Sequence, residues 1–147
     1  MLYFAYGSNL NHHQMKDRCN GSKYIKKHTL KGYKLCFSHK TNHSIYGHAN
    51  IIKDKKAKVI GVLWNINKKD EKKLDWYEGV NYNYYSKKYF TLNGKRVLVY
   101  VQKIYYLKKP NTTYLHIIIK GYKDCLLDIK KLKKTISNYK INYKINW

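Results

Sequence analysis

The chain has few acidic residues, little proline and no long apolar segment. Of its 147 residues, eight are Asp or Glu and one is Pro. No apolar run approaches the roughly 20 residues of a membrane-spanning helix. The first residues also lack the basic and extended apolar regions of a secretory signal. We therefore expect no membrane partner and a cytoplasmic protein.

Cysteine is also scarce. Cys19, Cys36 and Cys125 are an odd number at unrelated spacings, which does not describe the disulfide framework of a secreted domain. Cys36 lies near three histidines, His39, His43 and His48, but it falls on a predicted strand and they fall on a polar loop. A zinc site needs paired ligands on a tight turn, so we expect no metal.

Positive charge, in contrast, is abundant. The formal net charge is +23, yet among the 31 basic residues only Arg18 and Arg96 are arginine. Phosphate clamping and base readout favour the bidentate guanidinium group. Lys, Asn, Ile and Tyr, all encoded by A/T-rich codons, make up about half of the chain. Compositional drift therefore explains the charge better than a nucleic-acid site, although the charge does not exclude one.

The hydrophobic pattern predicts one α+β domain. A short apolar run, Leu2 to Tyr6, reads as a buried strand, and the Asn93-Gly94 pair predicts a hairpin between 84–92 and 96–107. Further strands are expected from Gly32, over 47–52 and over 59–66. A helix is expected over 12–18, with Asn9 or Asn11 as its N-cap, and another over 68–77, with Asn67 as its N-cap. A third is expected over 113–120 and should end at Gly121. A fourth follows it, with Leu126, Ile129, Leu132 and Ile136 on its apolar face.

Together these elements suggest a curved antiparallel or mixed sheet flanked by helices. We assign residues 1–138 to this domain. The remainder, 139–147, repeats Tyr-Lys-Ile-Asn and is expected to form either a tail or an added strand.

Two local features carry chemistry. The turn Tyr6-Gly7-Ser8-Asn9-Leu10 lies between a strand and a helix, where main-chain N–H groups and the helix dipole favour an anion. Alone, this turn is weak evidence for a binding site, since a strand, a glycine turn and an Asn cap occur together in many proteins. The second feature is Glu78, one of only two glutamates, which ends a predicted helix beside Trp76, Tyr77, Tyr82, Tyr84 and Tyr85.

Desolvation by these aromatic rings is expected to raise the pKa of Glu78 and suit it to proton transfer. The alternative for Glu78 is an ordinary exposed residue at a helix end, which would face the unfavourable end of the helix dipole. Asp75 lies nearby and is a second candidate for the same role, although an Asp there more often faces solvent.

Four ordered motifs resemble the gamma-glutamylcyclotransferase superfamily, including its AIG2-like members. They are Leu2-Tyr-Phe-Ala-Tyr-Gly-Ser-Asn-Leu10, Gly61-Val-Leu-Trp64, Leu74-Asp75 with Glu78-Gly-Val80, and Pro110-Asn-Thr-Thr-Tyr114 with Gly121 downstream. The resemblance spans about residues 2–134. It implies a small β-barrel flanked by helices, no cofactor, and conversion of a γ-glutamyl amino acid or amine into 5-oxoproline.

The resemblance also implies site residues. Glu78 matches the catalytic glutamate, Tyr6, Gly7, Ser8, Asn9 and Leu10 match the substrate-binding loop, and Tyr85 and Tyr114 match pocket tyrosines. After Gly121 the chain departs from the family pattern and has the sequence Tyr-Lys-Asp-Cys-Leu-Leu. The resemblance therefore does not assign the pocket wall that contacts the leaving group, nor the choice of substrate. The rival hypothesis is a weak or inactive copy that acts as a basic module for nucleic acid or another polyanion. The resemblance permits a homodimer.

Overall fold

The computed structural model describes residues 1–147, which form six strands and four α-helices. The strands are β1 (Leu2–Ala5), β2 (Lys23–His39), β3 (His48–Asn65), β4 (Ser86–Leu92), β5 (Lys95–Val101) and β6 (Tyr106–Leu107). The helices are α1 (His12–Arg18), α2 (Lys68–Tyr77), α3 (Thr112–Asp124) and α4 (Ile129–Ile136). Short 3-10 turns at Ser8–Leu10 and Val80–Tyr82 follow β1 and α2.

All six strands belong to one sheet in the order β4-β5-β1-β3-β2-β6. β1 pairs in parallel with β5, and the other neighbours are antiparallel. The sheet curls until β4 faces β2, where the ring of Phe90 stacks on that of His28 at 5.8 Å. This half-barrel with four helices confirms the predicted α+β class and strongly curved sheet.

Local signals placed several elements correctly. Asn11 caps α1 by accepting a hydrogen bond from the Gln14 N–H at 3.0 Å, and Asn67 caps α2 in a reciprocal capping box with Asp70. Both turn residues of the β4–β5 hairpin, Asn93 and Gly94, have positive φ, as this turn requires. Caps and tight turns depend on neighbouring residues only, so the sequence reveals them.

The prediction of separate strands over 47–52 and 59–66 was wrong. Residues 48–65 form the single strand β3, which pairs with β2 across a lysine-rich middle section. β2 likewise begins at Lys23, well before Gly32. Ladder hydrogen bonds need no apolar side chain, so the hydrophobic pattern detects only the buried parts of this ribbon.

Two predictions near the C-terminal end also need correction. Gly121 does not close its helix, because α3 continues to Asp124. Its missing Cβ instead allows close packing, since a Cβ there would lie 2.7 Å from the main-chain N of Asn11. Leu126 lies outside α4 with positive φ.

Residues 139–147 form no strand. The side chains of Tyr139, Ile141, Tyr143 and Ile145 pack against the core. No helix combines the length and apolar character that crossing a membrane requires.

Candidate active site

The turn after β1 carries main-chain donors that the protein does not use. The N–H groups of Leu10 and Asn11 donate to the carbonyls of Gly7 and Ser8 at 3.1 and 3.0 Å. Those of Gly7, Ser8 and Asn9 make no hydrogen bond within the chain. Polar main-chain groups in a folded protein generally have partners. This segment therefore has three N–H groups free to bind an anion or a polarised oxygen.

A small pocket lies beside this turn. Its floor and walls are mostly phenol rings, and it is bordered by Gly7, Ser8, Asn9, Ala49 and Glu78. The five rings are Tyr3, Tyr6, Tyr85, Tyr100 and Tyr114. They come from β1, the segment just after it, the segment before β4, β5 and α3, so only the folded chain brings these rings around one carboxyl group.

Glu78 lies at the C-terminal end of α2, and its side chain reaches this pocket. The residue is half-buried. Burial raises the pKa of its carboxyl group to about 7, although the positive charge of Arg18 and a hydrogen bond from Asn9 act in the opposite direction. A carboxyl group with a pKa near neutrality can both accept and return a proton.

Three of the five aromatic residues expected beside Glu78 lie near it in the structure. Tyr85 lines the inner pocket with Glu78, and Tyr77, Tyr84 and Tyr85 line a wider depression with it. Trp76 and Tyr82 instead point to solvent, with 71% and 77% of their surface exposed. Neighbours in sequence at a helix end point in different directions, so the sequence did not separate these two from the other three. The direction of the pKa shift was predicted correctly.

Asn9 links the turn to the carboxylate. Its Nδ2 donates to Glu78 Oε1 at 3.3 Å and to the Tyr3 hydroxyl at 2.9 Å. Its Oδ1 accepts from Gln14 Nε2 at 3.0 Å and from Arg18 Nη1 at 3.1 Å. With donors on its oxygen, the amide can only present its NH₂ group to Glu78. Asn9 therefore fixes the position of the carboxylate.

Tyr85 and Tyr114 face the same strand residue. The Tyr85 hydroxyl donates to the Ala49 carbonyl at 2.5 Å, and the Tyr114 hydroxyl accepts from the Ala49 N–H at 2.9 Å. Burial raises the pKa of both phenols, so each keeps its proton. Since Tyr114 donates to no group of the protein, its O–H is available to a ligand.

A wider depression, open to solvent, adjoins the inner pocket and shares Ser8, Glu78, Tyr85 and Tyr114 with it. Its outer wall includes the cation Arg18, whose guanidinium lies 4.4 Å from the centre of the Tyr77 ring. His48 also lines it and hydrogen-bonds through Nδ1 to the Tyr84 hydroxyl at 2.5 Å. The site thus has an inner chamber and a positively charged entrance.

The fold brings together Tyr6, Gly7, Ser8, Asn9, Glu78, Tyr85 and Tyr114. It does not bring Leu10 to the pocket, because that side chain is fully buried in the core. Asp75 does not line the pocket either. It accepts a hydrogen bond from the Tyr100 hydroxyl at 2.7 Å and forms an ion pair with Lys87 at 3.0 Å. The chain has no cluster of three or more His, Cys, Asp or Glu side chains suited to a metal ion.

Tyr3, Tyr100 and Arg18 line the site although the sequence did not predict them there. The two tyrosines sit on strands whose alternation places them inward, but nothing local shows that both face one cavity. Arg18 carried a weak signal, being one of only two arginines in a chain rich in lysine. Its planar donor group reaches Asn9 from α1.

Fold and pocket define a small α+β protein that holds one acid–base carboxylate beside a turn of main-chain donors. A family model described as "Gamma-glutamyl cyclotransferase, AIG2-like" matches residues 3–122. The human protein named gamma-glutamylcyclotransferase is 32% identical over 142 residues, covering 90% of this chain and 76% of the human one. The Bos taurus protein of the same name is 31% identical, with coverage of 97% and 81%.

A solved structure named "Gamma-glutamyl cyclotransferase" matches with a TM-score of 0.81 at 29% identity, covering 99% of this chain and 93% of the other. This chain therefore belongs to the AIG2-like gamma-glutamyl cyclotransferase family. The family predicted from the four sequence motifs is confirmed.

Proposed function

We propose that this enzyme is a gamma-glutamylcyclotransferase, which releases 5-oxoproline from a small γ-glutamyl substrate with Glu78 as general acid and base. One observation carries the assignment of Glu78. Its carboxyl group, with a pKa of about 7, shares a pocket with a turn whose three main-chain N–H groups have no partner in the chain.

The reaction is an intramolecular acyl transfer. In a γ-glutamyl compound the α-amine attacks its own γ-carbonyl carbon and closes a five-membered lactam. The new C–N bond replaces the amide bond to the leaving amine. Because nucleophile and electrophile belong to one molecule, the protein needs only to fold the substrate and hold it in the reactive conformation.

Proton movement requires one carboxylate. The α-nitrogen enters as an ammonium group and ends as a lactam N–H, so it loses two protons, and the departing nitrogen gains two and leaves as an ammonium ion. Glu78 accepts the first proton to free the attacking amine, accepts the second after the ring closes, and passes each to the leaving nitrogen, so no net proton is consumed. The Asn9 amide, itself held by Arg18 and Gln14, keeps the carboxylate in place.

Charge also develops on the γ-carbonyl oxygen during attack. The N–H groups of Gly7, Ser8 and Asn9, together with the Tyr114 hydroxyl, are candidates for holding this oxygen and the substrate α-carboxylate. Such donors act most strongly where water is excluded, and loss of one typically costs about 3 kcal/mol in the activation barrier.

The direct test is incubation with γ-glutamyl-alanine and detection of 5-oxoproline and free alanine in equal amounts. Alanyl-glutamate, which lacks the γ-linkage, is the matched control and should give neither product. Failure to release 5-oxoproline from any member of a panel of γ-glutamyl amino acids, γ-glutamyl amines, γ-glutamyl-ε-lysine and glutathione would contradict the proposal.

The pH dependence should follow Glu78. The base form is the active form, and the pKa of this group is about 7. We therefore expect kcat/KM to fall tenfold per pH unit below about 7 and to level off above it. Steady-state assays from pH 5 to 8.5 measure this. A profile already flat at pH 5 would show that the working base has an unperturbed carboxyl pKa.

Arg18 should distinguish leaving groups. It lines the entrance where the amine leaves, so its charge suits the carboxylate of a departing amino acid. We expect Arg18→Gln to lower kcat/KM for γ-glutamyl-alanine at least tenfold more than for γ-glutamyl-ethylamine, which lacks that carboxylate. Comparing both substrates on both proteins measures the effect. An equal loss for the two would mean that Arg18 acts only through Asn9.

A further inference from the structure

A groove that shares no residue with the pocket or its entrance collects positive charge. It is open to solvent and lies between the β2–β3 ribbon and α4. We name it the lysine groove after the seven exposed lysines that line it, Lys31 and Lys34 of β2, Lys55, Lys56 and Lys58 of β3, and Lys131 and Lys134 of α4. We propose that the lysine groove binds a chain of phosphate groups, independently of the cyclotransferase reaction.

Composition alone does not account for this density. Lysine makes up about two in five of the exposed residues of the chain, which corresponds to about three lysines in eight exposed positions. Of the eight exposed residues that line the groove, seven are lysine. Compositional drift explains a high overall charge, but it distributes lysine without regard to the fold. The concentration in one concave surface therefore needs a separate cause.

The charge in the groove is not neutralised by the protein. Asp54 is the one acidic residue of the lining, and its Oδ1 accepts a hydrogen bond from the main-chain N–H of Lys56 at 3.0 Å. The lysines that form ion pairs with carboxylates are Lys87 and Lys120, which lie outside the groove. All seven groove ammonium groups therefore remain free to contact an anion.

The arrangement also brings like charges close together. Lys31 and Lys58 are directly opposite each other on paired strands, and Lys131 and Lys134 are three residues apart on α4. Like charges in either arrangement are destabilising. A bound polyanion reverses the sign of these interactions, because one negative chain can lie between all three elements.

The groove would contact an anion through lysine alone, because it has no arginine. Lysine binds phosphate as a point charge, without the bidentate geometry of a guanidinium group, so the groove favours a ligand with a high density of charge along its chain. Its one aromatic residue, Tyr122, is 1% exposed, so no ring is available for base stacking. We therefore infer that the occupant is inorganic polyphosphate, which presents a chain of phosphates and no bases.

The test compares two triple variants that remove equal charge. Lys31→Gln/Lys58→Gln/Lys131→Gln removes groove lysines, and Lys68→Gln/Lys69→Gln/Lys72→Gln removes three exposed lysines of α2. Binding of a fluorescent 12-nucleotide oligouridine is measured by anisotropy from 50 to 200 mM NaCl. We expect the groove variant to lose about 100-fold in affinity at 100 mM and its salt slope to flatten by about 2. The α2 variant should lose less than threefold.

Competition identifies the anion. Inorganic polyphosphate should displace the RNA probe from wild type at a phosphate concentration at least tenfold below that needed with unlabelled oligouridine. Tighter binding of oligouridine would overturn the assignment to polyphosphate. Equal losses for the two triple variants would overturn the proposal, since they would show general attraction to a basic protein. Displacement by a polyglutamate peptide as effective as by polyphosphate would also overturn it. Unchanged 5-oxoproline release and thermal unfolding in both variants confirm that they are folded.

Discussion

Glu78→Gln should abolish 5-oxoproline release, with kcat falling about 1,000-fold or more. Gln has nearly the same shape and can still accept the hydrogen bond from Asn9 at the position of Oε1, so the pocket should keep its geometry. What it cannot do is take a proton from the substrate ammonium. The measurement is kcat and KM with γ-glutamyl-alanine at pH 8, where the wild-type carboxylate is ionised.

KM should change little in this variant, because the loss lies in proton transfer and not in binding. Glu78→Asp is a useful companion, since it keeps the base but withdraws it by one methylene, and it should lose less activity than Gln. Retention of more than a tenth of wild-type activity in Glu78→Gln would remove Glu78 from the mechanism.

The same substitution should stabilise the protein at high pH. Burial raises the pKa of Glu78 from 4.5 in an unperturbed carboxyl group to about 7. Between these values the folded state holds a proton that the unfolded state releases, so the stability of the wild type decreases as pH rises. Gln carries no such charge. Relative to wild type, the variant should gain about 1 to 3 kcal/mol at pH 8 and nothing at pH 4.

Chemical denaturation at both pH values measures this difference. A gain that is equal at pH 4 and pH 8 would show that it comes from packing and not from ionisation. The comparison also separates a catalytic loss from a folding defect, because a variant that is inactive yet more stable has lost chemistry alone.

Gly7→Ala should reduce kcat/KM about 100-fold. A Cβ at position 7 would lie 2.8 Å from the Cβ of Ala49 and 3.6 Å from the Tyr114 hydroxyl. The first contact is far too short, so the turn must move away from β3 and carry its free N–H groups with it. A displacement of about 1 Å in a catalytic site can cost 100-fold in rate. Steady-state kinetics with γ-glutamyl-alanine give the effect.

The chain offers a matched rescue. In Gly7→Ala/Ala49→Gly the added methyl group occupies the space of the one removed, and the turn can return to its place. We expect the double variant to recover to within tenfold of wild type, while Ala49→Gly alone loses little. If Gly7→Ala is fully active, the turn does not need close approach to β3. If the double variant stays as impaired as the single one, the Ala49 contact is not the cause.

Much of the fold could be predicted from short stretches of sequence. The caps Asn11 and Asn67 and the Asn93-Gly94 hairpin depend on interactions between residues a few positions apart. The β2–β3 ribbon could not be predicted at its full length, since its middle is held by main-chain ladders and not by apolar side chains. Gly121 similarly suggested a helix end, because its close contact with Asn11 arises only after α3 packs on the turn.

The candidate site divides in the same way. The sequence by itself determined which groups are candidates for binding and proton transfer, since the glycine turn after β1 and the isolated Glu78 can be identified without knowing any distant contact. The raised pKa of Glu78, about 7, depends on the tertiary structure. Four of the five rings that line its pocket lie in β1, β5, α3 and the segment just after β1. The tertiary structure alone also gathered the lysines of β2, β3 and α4 into one groove. Residue identity is local, whereas desolvation and the focusing of charge are properties of what surrounds a residue in space.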